Sequence, residues 1–84
     1  MFKVYVLYSK SHDKLYIGFT SNFRNRILSH NQLGVKDWTS NYRPWILIHM
    51  EEFISKQEAL KREKALKGGK GREFLRKEIL PLFI

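Results

Sequence analysis

Two apolar, alternating runs, Val4-Tyr5-Val6-Leu7-Tyr8 and Leu15-Tyr16-Ile17-Gly18-Phe19, decide the fold. Residues 2–9 are rich in Val, Tyr and Leu with a period of two, which reads as a strand. Ser11-His12-Asp13-Lys14 is a polar turn, and the β pattern resumes from Leu15 to Phe19, so the pair forms a hairpin. Beyond it, Thr20-Ser21-Asn22 supplies a helix N-cap, and Phe23, Ile27 and Leu28 give a helical stripe to about residue 31. Gln32 to Pro44 reads as a loop punctuated by Gly34, Asp37, Asn41 and Pro44. Trp45-Ile46-Leu47-Ile48-His49-Met50 is a third strand, extending to about Phe53. Ser55, with Glu58 three residues later, starts a helix through a capping box. Ala59, Leu60 and Leu66 form its inner face, and Gly68-Gly69 end it. The run Gly68-Gly69-Lys70-Gly71-Arg72 lacks the spacing of a phosphate loop and reads as a helix stop plus a flexible basic turn. Residues 72–80 form a last short helix with Phe74, Leu75 and Ile79 inward, followed by the apolar tail Leu80 to Ile84. The order β-β-α-β-α-α specifies a small α+β fold with a three-stranded sheet, in one domain spanning residues 1–84.

Eighty-four residues can support only one core. A content of 43% hydrophobic and 14% aromatic residues excludes a disordered chain. No cysteine is present, which rules out disulfides and thiolate metal sites. No run approaches the roughly 18 apolar residues of a membrane span, so a soluble, cytoplasmic protein is expected, nucleoid-associated if bacterial. Lysine and arginine total 16 against 8 acids, a net charge of +8. Such an excess in so short a chain favours a polyanion partner, bound by phosphate neutralisation and counterion release. Arg24, Lys61, Lys64, Lys70 and Arg72 are the candidate nucleic-acid contacts. The apolar tail, together with Trp38 or Trp45 if exposed, offers a surface for a protein partner or a homodimer.

A few residues stand out chemically. At about 100° per residue, Glu63 falls inside the stripe of Ala59 and Leu66. Pairing with Lys67 one turn on is the ordinary explanation, although an exposed pair of that kind contributes only about 0.3–0.5 kcal/mol. A divalent ion is the other, and a hard carboxylate suits Mg²⁺ or Mn²⁺. Glu51, Glu52 and Glu58 read as ordinary caps and edge charges. Arg26 and His30 lie one turn apart on the flank of the Phe23/Ile27 stripe. An arginine there can hold a phosphate and stabilise developing charge, and a histidine can take a proton. Alternatively, the two share a solvated basic face with Arg24. Tyr5 and Tyr16, on neighbouring strands, can orient a water between their hydroxyls if they share a face, or can be sheet tyrosines that reach solvent. Gly18 marks a close approach on the same strand face as Tyr16.

These residues are also where the chain resembles the GIY-YIG endonuclease superfamily. Tyr16-Ile17-Gly18 matches the second half of the name motif, and Lys3-Val4-Tyr5 keeps the tyrosine of the first. Arg26, His30 and a glutamate in the helix after the third strand, Glu63, match in type and spacing. The layout is most similar to the short stand-alone bacterial members. The resemblance implies a three-stranded antiparallel sheet flanked by helices, and metal-dependent hydrolysis of DNA phosphodiesters, with RNA as the other substrate class, in repair or recombination. It implies Tyr5 as general base or water-orienting phenol, helped by Tyr16 and His30, with Arg26 on the phosphate and Glu63 on the single Mg²⁺ or Mn²⁺. Two departures accompany it: the glycine of the first half-motif is missing, and no asparagine follows Asn41 to match the one many members carry late in the domain. A nucleic-acid-binding module of the same fold that does not cut is the alternative.

Overall fold

The computed structural model describes residues 1–28 and 44–84, the side chains of residues 26–28 excepted. Strand β1 (Phe2–Ser9) pairs antiparallel with β2 (Lys14–Thr20), which leads into helix α1 (Phe23–Leu28). Strand β3 (Ile46–Phe53) joins the other edge of β1, also antiparallel, giving a sheet in the order β2-β1-β3. Helices α2 (Lys56–Lys67) and α3 (Gly69–Phe74) follow, and the chain closes in a π turn over Leu75–Ile79 and a 3₁₀ turn over Leu80–Leu82. This is the expected α+β architecture.

Strand alternation divides the sheet into two unlike faces, each with its own apolar cluster, where the chain length predicts a single core. Val4, Val6, Tyr8, Leu15, Ile17 and Ile48 point to one side, where they bury Ala59 and Leu66 of α2 with Leu75 and Leu80. Tyr5, Leu7 and Trp45 point to the other, with Tyr16 and Phe23 packed against them. A bulge sets the register of β3: Val6 faces His49 and Leu7 faces Leu47, so Ile48 is the extra residue and is turned into the helix-side core.

The four-residue hairpin connection is anchored by Asp13, which takes the left-handed conformation (φ 51°) that an aspartate tolerates. Its carboxylate accepts hydrogen bonds from the Tyr8 hydroxyl and Arg76 Nη1, both at 2.9 Å. The hydrogen bonds from Arg76 and Tyr8 hold the Asp13 pKa below the usual carboxylate range. The bond to Asp13, reinforced by burial, raises that of Tyr8. The hairpin tip is thereby clipped to the C-terminal segment.

Several local expectations are corrected. Leu60 is 39% exposed, which leaves Ala59 and Leu66 as the buried residues of α2. Trp45 is 4% exposed and belongs to the tyrosine-side core, so it offers no interface. Gly68 does end α2, in an extended conformation (φ −73°, ψ 171°). The glycine-rich run after it is helix α3 rather than a turn. A Cβ at Gly71 would collide with Ala65 O and Leu66 Cα, so the glycine lets α3 lie directly on α2. Phe74 is 37% exposed and meets the His49 ring edge-on, while Leu75 is fully buried. The tail divides: Leu80 docks in the core, and Leu82, Phe83 and Ile84 stay exposed. Trp38 lies outside the described residues.

Candidate active site

Tyr5 and Gly18 are direct cross-strand partners, and Tyr16, two residues before Gly18, shares their face. The Tyr5 and Tyr16 rings lie 6.1 Å apart, Phe23 meets Tyr5 edge-on at 5.8 Å, and Trp45 meets Tyr16 at 6.2 Å. A Cβ at Gly18 would stand 2.5 Å from both Cζ and the hydroxyl oxygen of Tyr5 and 2.9 Å from Tyr16. The close approach marked by the glycine is therefore that of the tyrosine pair itself. Tyr5 is 1% exposed, which removes the reading of Tyr5 as a tyrosine reaching solvent, whereas Tyr16 on the edge strand is half-buried.

Helix α1 starts at once after β2. Thr20 Oγ1 accepts from the Asn22 N–H at 2.9 Å, and Asn22 Oδ1 accepts from the Asn25 N–H at 3.4 Å, capping the first turn. The first helical residue, Phe23, packs on Tyr5, so α1 is fixed beside the tyrosine pair. Arg26 is on this helix, its side chain outside the description; His30 lies outside the described residues.

Glu63 sits on α2, which covers the opposite face of the sheet. Arg62 and Glu63 fall on either side of the Ala59/Leu66 stripe, each about 50° from its centre. Arg62 reaches β3 and donates two hydrogen bonds from Nε and one from Nη2 to the Glu51 carboxylate, at 2.9–3.2 Å. Glu63 therefore flanks the β2 edge. Its side chain is 20% exposed, with Lys67 Nζ 3.6 Å from Oε2. Lys67 in turn lines a groove of about 330 Å³ with Leu15, Tyr16, Ile17 and Arg72. The tyrosine pair and Glu63 are thus on opposite faces, and the edge strand β2 is the route that joins them.

No group of three or more His, Asp or Glu side chains occurs among the described residues. A single half-buried carboxylate fits Mg²⁺, which keeps several waters and takes the rest of its shell from substrate phosphate. Arg24, Lys61, Lys64, Lys70 and Arg72 are all exposed, on α1, the outer side of α2, and α3. Two features escaped sequence reasoning. Glu51 is no edge charge: besides Arg62 it binds His49 Nε2 at 2.6 Å. Burial raises its pKa, but the hydrogen bonds and charge of Arg62 and His49 outweigh this and leave it lowered. The only signal was that His49 and Glu51 are two apart on one strand. The second is the groove that Lys67 lines along β2, visible only once the helix is set against that strand; its pairing with Glu63 is the one the i,i+4 spacing suggests.

The GIY-YIG catalytic domain profile matches residues 1–77. The chain is 41% identical over 68 residues to a UPF0213 protein of Staphylococcus haemolyticus, covering 80% of this chain and 83% of that one. A UPF0213 protein of Natronomonas pharaonis is 38% identical over 64 residues, covering 76% and 74%. The solution NMR structure of a UPF0213 protein from Bacillus halodurans superposes with a TM-score of 0.55 at 29% identity, covering 89% of this chain and 82% of that one.

Proposed function

This chain belongs to the GIY-YIG nuclease-domain family, and we propose that it is a metal-dependent endonuclease that hydrolyses DNA phosphodiester bonds. The observation that carries the proposal is the tyrosine pair. Two phenols are packed against each other over a glycine whose missing side chain makes the space for them. In this reading Tyr5 orients the attacking water or takes its proton, helped by Tyr16 and by His30. Arg26, carried on the helix that Phe23 fixes beside Tyr5, binds the scissile phosphate and stabilises the charge that builds on it. Glu63 would hold a Mg²⁺ or Mn²⁺ ion, which would supply Lewis-acid neutralisation of phosphate charge. Lys61, Lys64, Lys70, Arg72 and Arg24 provide exposed cations for the flanking backbone.

One observation favours the second reading, a DNA- or RNA-binding module of the same fold. Glu63 already has a cation beside it in Lys67, and an ion-paired carboxylate needs no metal. Incubation with labelled nicked, branched, single-stranded and duplex DNA in Mg²⁺, Mn²⁺ or EDTA separates the two. Cleavage in either metal and none in EDTA is expected; binding without cleavage in every buffer would leave the module. Among the described residues no helix is long and apolar enough to cross a membrane. The exposed Leu82, Phe83 and Ile84 are the proposed contact for a protein partner or a second copy.

A further inference from the structure

We propose that Lys67 and Arg72 form a backbone-phosphate site at the edge of β2, which Lys67 enters by leaving Glu63 when a divalent cation takes the carboxylate. The proposal rests on the metal role of Glu63 argued above and adds the substrate-strand contact beside it. Its starting point is the groove lined by Leu15, Tyr16, Ile17, Lys67 and Arg72. One wall is the outer strand of the sheet, and the other carries two cations. Lys67 and Arg72 belong to different helices, and two features bring them together. Gly68 breaks α2 from α3, and Gly71 lets α3 seat directly on the Ala65–Leu66 backbone. Arg72 Nε then donates to the Lys67 carbonyl at 3.1 Å, which fixes the guanidinium next to the lysine. Among the described residues its remaining N–H groups meet no acceptor, and a guanidinium with open donors is matched to a phosphate oxygen.

Lys67 is shared between two tasks. Its ammonium stands 3.6 Å from Glu63 Oε2 while its side chain, half in solvent, also lines the groove. With a divalent ion at Glu63, Lys67 would lose its carboxylate partner to a larger like charge and would turn outward on its flexible stem. The anion available there is the strand that the groove admits. Metal and nucleic acid then favour each other's binding through one side chain, which is a reciprocal coupling.

Mn²⁺ binding followed by electron paramagnetic resonance, and anisotropy of a fluorescent 12-nucleotide single strand in Ca²⁺ or EDTA, test this on the full chain. Lys67→Gln should bind Mn²⁺ about two- to fivefold more tightly without nucleic acid, because an exposed ion pair of ordinary strength no longer competes. It should also lose a similar factor from the Ca²⁺-dependent gain in strand affinity, and Lys67→Arg should restore that gain. Arg72→Gln should leave Mn²⁺ affinity unchanged and weaken the strand equally in Ca²⁺ and EDTA. If Glu63→Gln abolishes Mn²⁺ binding while Lys67→Gln matches the wild type in both assays, the exchange is overturned and the metal role of Glu63 stands. If Glu63→Gln binds Mn²⁺ like the wild type, both are overturned. Arg72→Gln with undiminished strand affinity overturns the phosphate site.

Discussion

Gly18 and Glu63 are the two residues whose single-atom changes say most about the site. An added methyl at Gly18 meets the buried Tyr5 ring at 2.5 Å, and that ring is walled by Phe23 and Tyr16. Gly18→Ala should therefore lower stability by about 1–3 kcal/mol, the usual range for overpacking. Cleavage should fall further than the unfolded fraction accounts for, because the phenol pair is displaced. Comparing turnover with the folded fraction by circular dichroism checks this; turnover that tracks the folded fraction alone would remove the tyrosines from the chemistry. Glu63→Gln should change stability by no more than about 1 kcal/mol, since its ion pair is with a half-exposed lysine. Mg²⁺-dependent cleavage should drop by orders of magnitude. A mutant that melts early yet cuts at the wild-type rate would end the metal-ligand assignment. The type of each residue was readable from the sequence at this scale. What Gly18 was making room for was not, because only strand pairing puts Tyr5 opposite it.

At the scale of elements, α3 shows two effects in competition. Alanine in place of a helical glycine ordinarily stabilises by about 1 kcal/mol. At Gly71 the new Cβ would strike backbone atoms of α2, which cannot swing aside like a side chain. Overpacking of about 1–3 kcal/mol or more wins, so Gly71→Ala should lower Tm. A raised Tm would mean that α3 does not rest on α2 as described. The β3–α2 contact gives a pH signature. Glu51 has a lowered pKa in the folded state, so its contribution is present above the unfolded carboxylate value of about 4.3 and is lost as pH falls through the folded one. Glu51→Gln should cost about 1–3 kcal/mol at pH 7, as Arg62 and His49 lose their charged acceptor. The gap between mutant and wild type in urea unfolding should close as pH drops below about 4. A gap constant from pH 7 to pH 3 would show that Glu51 does not carry that stability.

For the molecule as a whole, the net charge of +8 sets the long-range behaviour. DNA affinity should fall steeply with salt. Four phosphate contacts would give a slope of log K against log salt of roughly −3 to −4. Charge reversal in the Lys61, Lys64 and Lys70 group should flatten that slope with little change in turnover of bound DNA. A flat salt profile for the wild type would count against a polyanion partner.

Hydrophobic periodicity and cap residues by themselves determined the hairpin, the third strand and the start of α2, because these follow from patterns a few residues long; that the sheet carries an apolar cluster on each face emerged only with the tertiary structure. The motif Tyr16-Ile17-Gly18 with Tyr5, Arg26, His30 and Glu63 likewise determined the family, since residue type and spacing are properties of the chain alone. Only the tertiary structure decided that the tyrosines and α2 occupy opposite faces of the sheet, joined past the edge of β2. It alone turned Gly69 to Arg72 from a flexible turn into a helix, because the collision that Gly71 avoids involves a neighbouring helix. The partners of Glu51 and the groove beside Lys67 belong with these: ion pairs and grooves between elements depend on how helices seat on strands, and that geometry is set by packing across the whole core.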